Sequence, residues 1–321
     1  MASSSPSPAS GPAETTFRSY TQRQGANYAQ NRPGYHPKLY QAVMDYHTSN
    51  GGQLNTILDV GCGPGTAVQA LAPHFAHAIG LDPSEGMIMT ARSLDGVSST
   101  PAAIRWEIST AEDLGSQLSP PIPDGSVDLI TAAVAAHWFD MSRFWSRAAE
   151  VLKPGGTVAL WSTGSMRVHP SIPNYAAVQA ALDRHEDLLR GYMAPGNLLT
   201  RDLYIDLPLP WTLATPVPDF DESTFFRKEW NTGSTLESRE EFFVGGEQEV
   251  DLDTLEKVLG TASPVSRWRE AHPDAVGTGD DVVRIIRKNI ERVLHEAGVE
   301  KGKEVVKGGV AAVLLMVKKN A

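Results

Sequence analysis

The stretch Ile57-Leu-Asp59-Val-Gly61-Cys-Gly63-Pro-Gly65-Thr66 constrains this chain more than any other. A short apolar run, 56–60, stops at three closely spaced glycines, and a helical pattern over 67–75 begins just after them. A glycine-rich turn between a buried strand and a helix lets a nucleotide-like ligand approach the backbone with no Cβ in the way. In open α/β sheets such a crevice lies at the carboxyl ends of the strands, so the motif predicts a fold and a ligand site together.

The alternation continues on both sides of the turn. Helical spacing is read at 39–46, 67–75, 83–94 and 144–152, and buried strands at 56–60, 78–81, 104–108, 127–134 and 157–161. The last of these is entered through Lys153-Pro-Gly-Gly156. Strands alternating with helices imply βαβ units, hence a parallel sheet covered on both faces with right-handed crossovers.

After Ser162 the pattern loosens into helical stretches at 172–190 and 198–203 and a Pro-rich segment at 206–211. An insertion of this length is usually functional, and 163–222 is read as a helical lid or substrate insertion. A strand at 225–230, a helix at 280–297 and a final strand at 309–319 follow. The expected fold is α/β and Rossmann-like, with one domain over 15–321. Residues 1–14, rich in Ser, Pro and Ala, bury too little apolar surface to offset their ordering entropy and are read as a disordered tail.

Composition narrows the setting. A net charge of −10 argues against an extended phosphate-binding surface and favours a small-molecule partner over nucleic acid. Cys62 is the only cysteine, so no intramolecular disulfide or thiolate zinc site can form, which fits a reducing compartment. The longest apolar runs, such as 310–317, are too short to span a bilayer, and the N-terminus lacks a secretory pattern. A cytoplasmic protein without a membrane span is expected. No carboxylate and His cluster with cation-ligand spacing is read, so no metal is expected.

The loop has the spacing G-x-G-x-G, with an acid two residues ahead of its first glycine, whereas a dinucleotide-binding turn wants G-x-G-x-x-G. S-adenosylmethionine has no pyrophosphate to cradle, but its ammonium favours a nearby carboxylate, and Asp59 supplies one. Asp82 ends the second strand, where an acid can accept both ribose hydroxyls. Glu112 and Asp113 follow the third strand, and either could accept the adenine amine. A lone Asp at a strand end is more often a cap or turn residue. It is the set of acids at consecutive strand ends, with Gly61, Gly63 and Gly65 between the first two, that makes the signal.

These residues resemble a known family. Asp59-Val-Gly-Cys-Gly-Pro-Gly65, Asp82-Pro-Ser84-x-x-Met87, Ala111-Glu-Asp-Leu114, Pro123-Asp-Gly-Ser-Val-Asp128 and Leu152-Lys-Pro-Gly-Gly156 are similar to the ordered motifs of type-11 class I methyltransferases. Tyr28-Ala-Gln-Asn-Arg32-Pro-x-Tyr35 and Ala135-Ala-His137-Trp138-Phe139-Asp140 resemble fungal proteins similar to trans-aconitate methyltransferase. The resemblance covers about residues 17–162 and continues more loosely beyond. It implies a seven-stranded sheet with a reversed last strand, S-adenosylmethionine as cofactor, and Cys62 and Met87 among the cofactor contacts. It also implies that the segment before the first strand folds over the cleft.

Methyl transfer to a carboxylate or hydroxyl of a small organic acid or secondary metabolite is the expected reaction, driven by positioning and desolvation. His137, after the fourth strand, either serves the acceptor as base or hydrogen-bond partner, or caps the strand end. Arg32, with Tyr28 and Tyr35, either pairs with a carboxylate of cofactor or substrate or is a stacked surface residue. Trp138 is either pocket wall or core, and Tyr20 is a lesser candidate. His169, Tyr192, Trp211 and Trp230 are further aromatic candidates for an acceptor pocket. Two other functions compete: an NAD(P)-dependent oxidoreductase, which the glycine spacing opposes, and a non-catalytic interaction protein, which the intact loop and ribose acid oppose.

Overall fold

The computed structural model describes residues 17–94, 98–100, 102–232, 242–244 and 249–321; the segment read as a disordered tail, 1–14, lies outside them. The elements run α1 (Gln22–Asn31), α2 (Pro37–Ser49), β1 (Thr56–Val60), α3 (Thr66–Leu71), β2 (His77–Asp82), α4 (Glu85–Ser93), β3 (Arg105–Ile108), β4 (Val127–Ala133), α5 (Met141–Val151) and β5 (Leu152–Val168). Next come α6 (Tyr175–Leu189), α7 (Pro195–Arg201), β6 (Phe220–Trp230), β7 (Val250–Asp251), α8 (Leu252–Leu259), α9 (Ser263–Ala271), α10 (Val282–Glu296), β8 (Val305–Val306) and β9 (Gly308–Lys319).

Seven strands form one sheet in the order β3-β2-β1-β4-β5-β9-β6. Neighbours from β3 to β5 pair in parallel, and β9 runs antiparallel to both β5 and β6. The last strand is thus reversed, and it slots between β5 and β6. The strand order turns at β1, whose neighbours are β2 and β4, and the glycine loop leaves β1 at this switch point.

Alternate residues of the strands serve opposite faces. Leu58 and Val60 join a core with Phe144 and Trp145 of α5. Ile57 joins Leu39 and Val43 of α2 and Val68 and Leu71 of α3. A sheet buried on both sides must be apolar along nearly its whole length, which is why these strands read as continuous runs.

A third core lies off the sheet. Val178, Ala181 and Leu182 of α6 pack with Leu252 and Leu255 of α8, Val265 of α9 and Val283, Ile286 and Ile290 of α10. The cap is therefore built from two stretches of chain, one before β6 and one after it, and reaches beyond the 163–222 insertion read from the sequence. β5 supports it by running on to Val168, well past the expected end at Trp161. Residues 162–168 pair with β9 through Met166↔Val310 and Val168↔Gly308.

At the other end of the chain, α1 lies directly on α4. A Cβ on Gly25 would come within 2.6 Å of the Thr90 hydroxyl oxygen, and one on Gly86 would overlap the Tyr20 carbonyl. Only glycine permits this approach. The Thr90 hydroxyl closes the contact on the Gln22 carbonyl at 3.3 Å.

Candidate active site

One cleft of about 340 Å³ opens at the carboxyl ends of β1, β2 and β4, a size that suits a cofactor-scale ligand. Its floor is the loop leaving β1. Gly61, Gly63 and Gly65 all have positive φ, at 64°, 54° and 92°. A Cβ on Gly61 would lie 2.6 Å from that of Ala135, whereas one on Gly63 would meet nothing within 4 Å. The backbone at Gly63 is thus bare toward the cleft. Gly65 lies behind it, where a side chain would collide with Trp106 of β3.

Asp59 and Thr131 are register partners on neighbouring strands, so their side chains share a face, and the Thr131 hydroxyl donates to Asp59 Oδ1 at 2.6 Å. Asp59 is fully buried beneath the loop and does not line the cleft, and its Oδ2 has no partner. Burial, opposed by the Thr131 bond and reinforced by the nearby Asp82 charge, pushes its carboxyl up to about 7.

Asp82 does line the cleft at the tip of β2, 8% exposed. Its Oδ2 accepts from the Gly63 amide at 2.9 Å and its Oδ1 from the Ser84 amide at 2.8 Å. The residue therefore braces the glycine loop and starts α4. Burial raises its carboxyl to about 6, against those two amide bonds and the Arg18 charge.

Past β3 the structure separates the two acids that the sequence left in competition. Glu112 lines the cleft and accepts the Asp140 amide at 2.9 Å. Asp113 turns away to the Thr110 hydroxyl and to Arg143, 3.7 Å distant. Met87 and Cys62 both reach the wall, and burial pushes the Cys62 thiol up.

Past β4, Val134 takes φ 52°, costly for a β-branched residue, and a 3-10 turn over Ala136–Trp138 follows. This turn sets His137 and Trp138 into the cleft wall. His137 is 8% exposed, its Nδ1 lies 2.9 Å from the Tyr204 hydroxyl, and burial lowers it to about 3. It stays neutral at ordinary pH.

Because α1 is held down on α4, the segment after it covers the cleft. Tyr28, Arg32 and Tyr35 all line it, with the Arg32 guanidinium 5.2 Å from the Tyr28 ring centre. Arg32 Nε is buried without a partner. Tyr20 packs edge-on against Phe17 outside the cleft wall, while Phe17 and Arg18 are part of it.

The other aromatic candidates do not come to this cleft. His169 pairs with the Ser171 hydroxyl, and Tyr192 lies against His272. Trp211 packs on Phe225, and Trp230 is core beside Phe242. In their place the cap contributes Leu182, His185 and Leu189 of α6, Met193, and Pro264 and Val265 of α9. The sequence held one usable signal for these: apolar residues at helical spacing in α6 flanking a histidine.

Among the described residues, Glu291, His295 and Glu304 bring ligand-type atoms within 4.8 Å of one another, a grouping that sequence spacing did not reveal. It lies outside the cleft wall, and His295 Nε2 is hydrogen-bonded to Glu304. No helix among the described residues is long and apolar enough to cross a membrane.

Residues 58–160 match the family described as "Methyltransferase domain". The chain is 33% identical over 183 residues to a Dictyostelium discoideum protein provisionally named a methyltransferase, covering 56% of this chain and 62% of that protein. It is 32% identical over 138 residues to a Saccharomyces cerevisiae protein provisionally named an S-adenosylmethionine-dependent methyltransferase, covering 43% and 45%. Both matches span less than two thirds of the relative's own length. Methyltransferase cfoB of Aspergillus candidus is 27% identical over 282 residues, covering 80% of this chain and 83% of that one. A solved structure from Anaeromyxobacter dehalogenans, provisionally described as a type II methyltransferase, superposes with a TM-score of 0.55 at 25% identity, covering 90% and 97%. With its sheet order and its glycine loop at the switch point, the chain shares the α/β fold of that methyltransferase structure, and residues 58–160 match a methyltransferase domain.

Proposed function

We propose that the chain transfers the methyl group of S-adenosylmethionine to a carboxylate or hydroxyl of a small molecule. The observation that carries this reading is the convergence on one cleft of bare backbone at Gly63, the Asp82 carboxylate and the Glu112 carboxylate, with the unpartnered Asp59 Oδ2 beneath. These groups suit an adenosyl sulfonium. A carboxylate has more lone pairs than Asp82 spends on its two amides, leaving acceptors for ribose hydroxyls. In this reading Glu112 accepts the adenine amine, Asp59 favours a cation above it, and the Arg32 guanidinium takes a carboxylate of cofactor or substrate. When bound, S-adenosylmethionine supplies a methyl carried on a positively charged sulfur, ready for in-line displacement.

The chain's own part is to hold the acceptor in line and keep water out. His137 does this by hydrogen bonding; an imidazole that resists protonation until about pH 3 is a poor proton acceptor at neutral pH. Trp138, with its ring centre 4.4 Å from that of His137, shields the site. The acidic net charge supports a small-molecule acceptor over nucleic acid, and the single buried cysteine supports a reducing, cytoplasmic setting. Calorimetry with S-adenosylhomocysteine and with NADH tests the cofactor assignment: binding of the first and not the second is expected, and the reverse would refute it. Methylation of a metabolite extract with labelled S-adenosylmethionine, followed by mass identification, then finds the acceptor.

A further inference from the structure

The cleft has two ends of different chemistry. The end at the glycine loop carries Asp82 and Glu112. The end under the cap is walled by Met166, Leu182, Leu189, Met193 and Val265, and its only charged lining residues, Glu186 and Arg201, neutralise each other across 2.7 Å. Among the described residues this end holds no unpaired cation to receive an anionic acceptor. It does hold an unpaired polar group. His185 of α6 is 5% exposed; its Nδ1 is sealed off with no hydrogen-bond partner, and its Nε2, also without a partner, is the nitrogen left to meet a ligand.

An orphaned polar atom inside a protein costs about 1–3 kcal/mol, so such atoms usually mark a missing partner. His185 also forms part of the wall of a second cavity, between α6 and α10, and shares no other lining residue with it. The imidazole therefore stands in the partition between the cleft and that cavity, fixed by the apolar packing of α6 on α10.

We infer that the cap end takes an uncharged, largely apolar acceptor bearing a hydroxyl group, with His185 as the hydrogen-bonding residue that recognises it. As the oxygen–methyl bond forms the methyl–sulfur bond breaks, the cofactor leaves as a neutral thioether and the hydroxyl proton passes to solvent at the cleft mouth. This rests on the methyltransferase reading of the cleft and narrows it: the hydroxyl, not the carboxylate, is the acceptor class, and Arg32 is left to the amino-acid carboxylate of the cofactor. Burial lowers His185 to about 4, so it meets the acceptor as a neutral imidazole able to bond a hydroxyl without charge repulsion or attraction.

The test uses the full chain loaded with S-adenosylhomocysteine and two probes of matched apolar body, 2-naphthol and 2-naphthoate, titrated by calorimetry. The naphthol is expected to bind roughly tenfold more tightly than the naphthoate. His185→Leu removes that preference and leaves S-adenosylhomocysteine affinity unchanged, while His185→Gln, which keeps an amide near the Nε2 position, retains most of it. Thermal unfolding of both variants shows that they fold. A preference for the naphthoate, no binding of either probe, or a naphthol preference unaltered by His185→Leu overturns the inference. Failure of S-adenosylhomocysteine to bind wild type overturns the methyltransferase reading itself, and is seen before either probe is added.

Discussion

The Tyr204 hydroxyl lies 2.9 Å from Nδ1 of His137, and Tyr204 is held at φ 60° directly after Leu203 at φ 50°. Consecutive non-glycine residues in left-handed backbone persist only where their surroundings over-determine them. Here the strained turn sits between α7 and β6, and its outcome is a fixed imidazole in the cleft wall.

Tyr204→Phe should therefore leave a buried His137 nitrogen unpaired and cost about 1–3 kcal/mol in denaturant unfolding. Methyl transfer should fall while cofactor affinity holds. Turnover equal to wild type would confine the pair to a structural role.

Asp82→Ala removes the bonds to the Gly63 and Ser84 amides together with the acceptors proposed for the ribose. Cofactor affinity should weaken about 10- to 100-fold, equivalent to about 1.4–2.7 kcal/mol, with the circular dichroism spectrum preserved. Unchanged affinity by calorimetry would mean that the carboxylate serves only to brace the loop.

The raised carboxyls of Asp59, at about 7, and Asp82, at about 6, give a pH signature. Between their ordinary value of 3.8 and these values the folded chain keeps protons that the unfolded chain has released. Their contribution to stability is complete below pH 3.8 and is lost as pH rises toward 7. Unfolding midpoints of the ligand-free protein should carry this downward trend, and Asp59→Asn should flatten it and be the more stable form at about pH 8. Cofactor affinity should run the other way, strengthening over the same interval because a bound cation favours the ionised carboxyl. A wild-type and Asp59→Asn pair with parallel pH profiles would refute this.

Gly61→Ala and Gly63→Ala should separate stability from binding. Both positions have positive φ, but only the first has a neighbour, Ala135, where the new methyl must go. Gly61→Ala should cost about 2 kcal/mol or more from strain and overlap together. Gly63→Ala should cost about 1 kcal/mol while placing its methyl against the ligand, so its main effect is on cofactor affinity. The reverse ranking in paired unfolding and calorimetry measurements would move the ligand away from Gly63.

The sheet was legible because its strands are covered on both faces and so read as unbroken apolar runs between turns. β5 was read short because 162–168 is half-buried strand of mixed polarity, which gives neither a run nor a clean alternation. α1 was missed since its only buried residue is Gly25; a Thr21–Gln24 capping box and close contact with α4 hold it, and neither leaves an apolar stripe. At the candidate site, motif spacing points to Gly61, Gly63 and Asp82, which line one cleft. It could not choose between Glu112 and Asp113, a choice made by a Thr110 hydroxyl and Arg143 from outside the motif. Of the candidates drawn from aromatic residues alone, Tyr192, Trp211 and Trp230 pack against other rings and His169 bonds Ser171, because a ring in the sequence carries no sign of which neighbour it will meet. His185 escaped notice because its setting is created by α10, about a hundred residues further along the chain.

That last separation bears on how specificity in this molecule can be altered. The face of α6 that lines the cleft is backed by helices encoded on the far side of β6, so the two stretches share one apolar core. Grafting 175–201 alone from another methyltransferase would seat new side chains on a foreign foundation. Acceptor preference should transfer only when 175–201 and 252–296 are exchanged together, as a single building block written in two places.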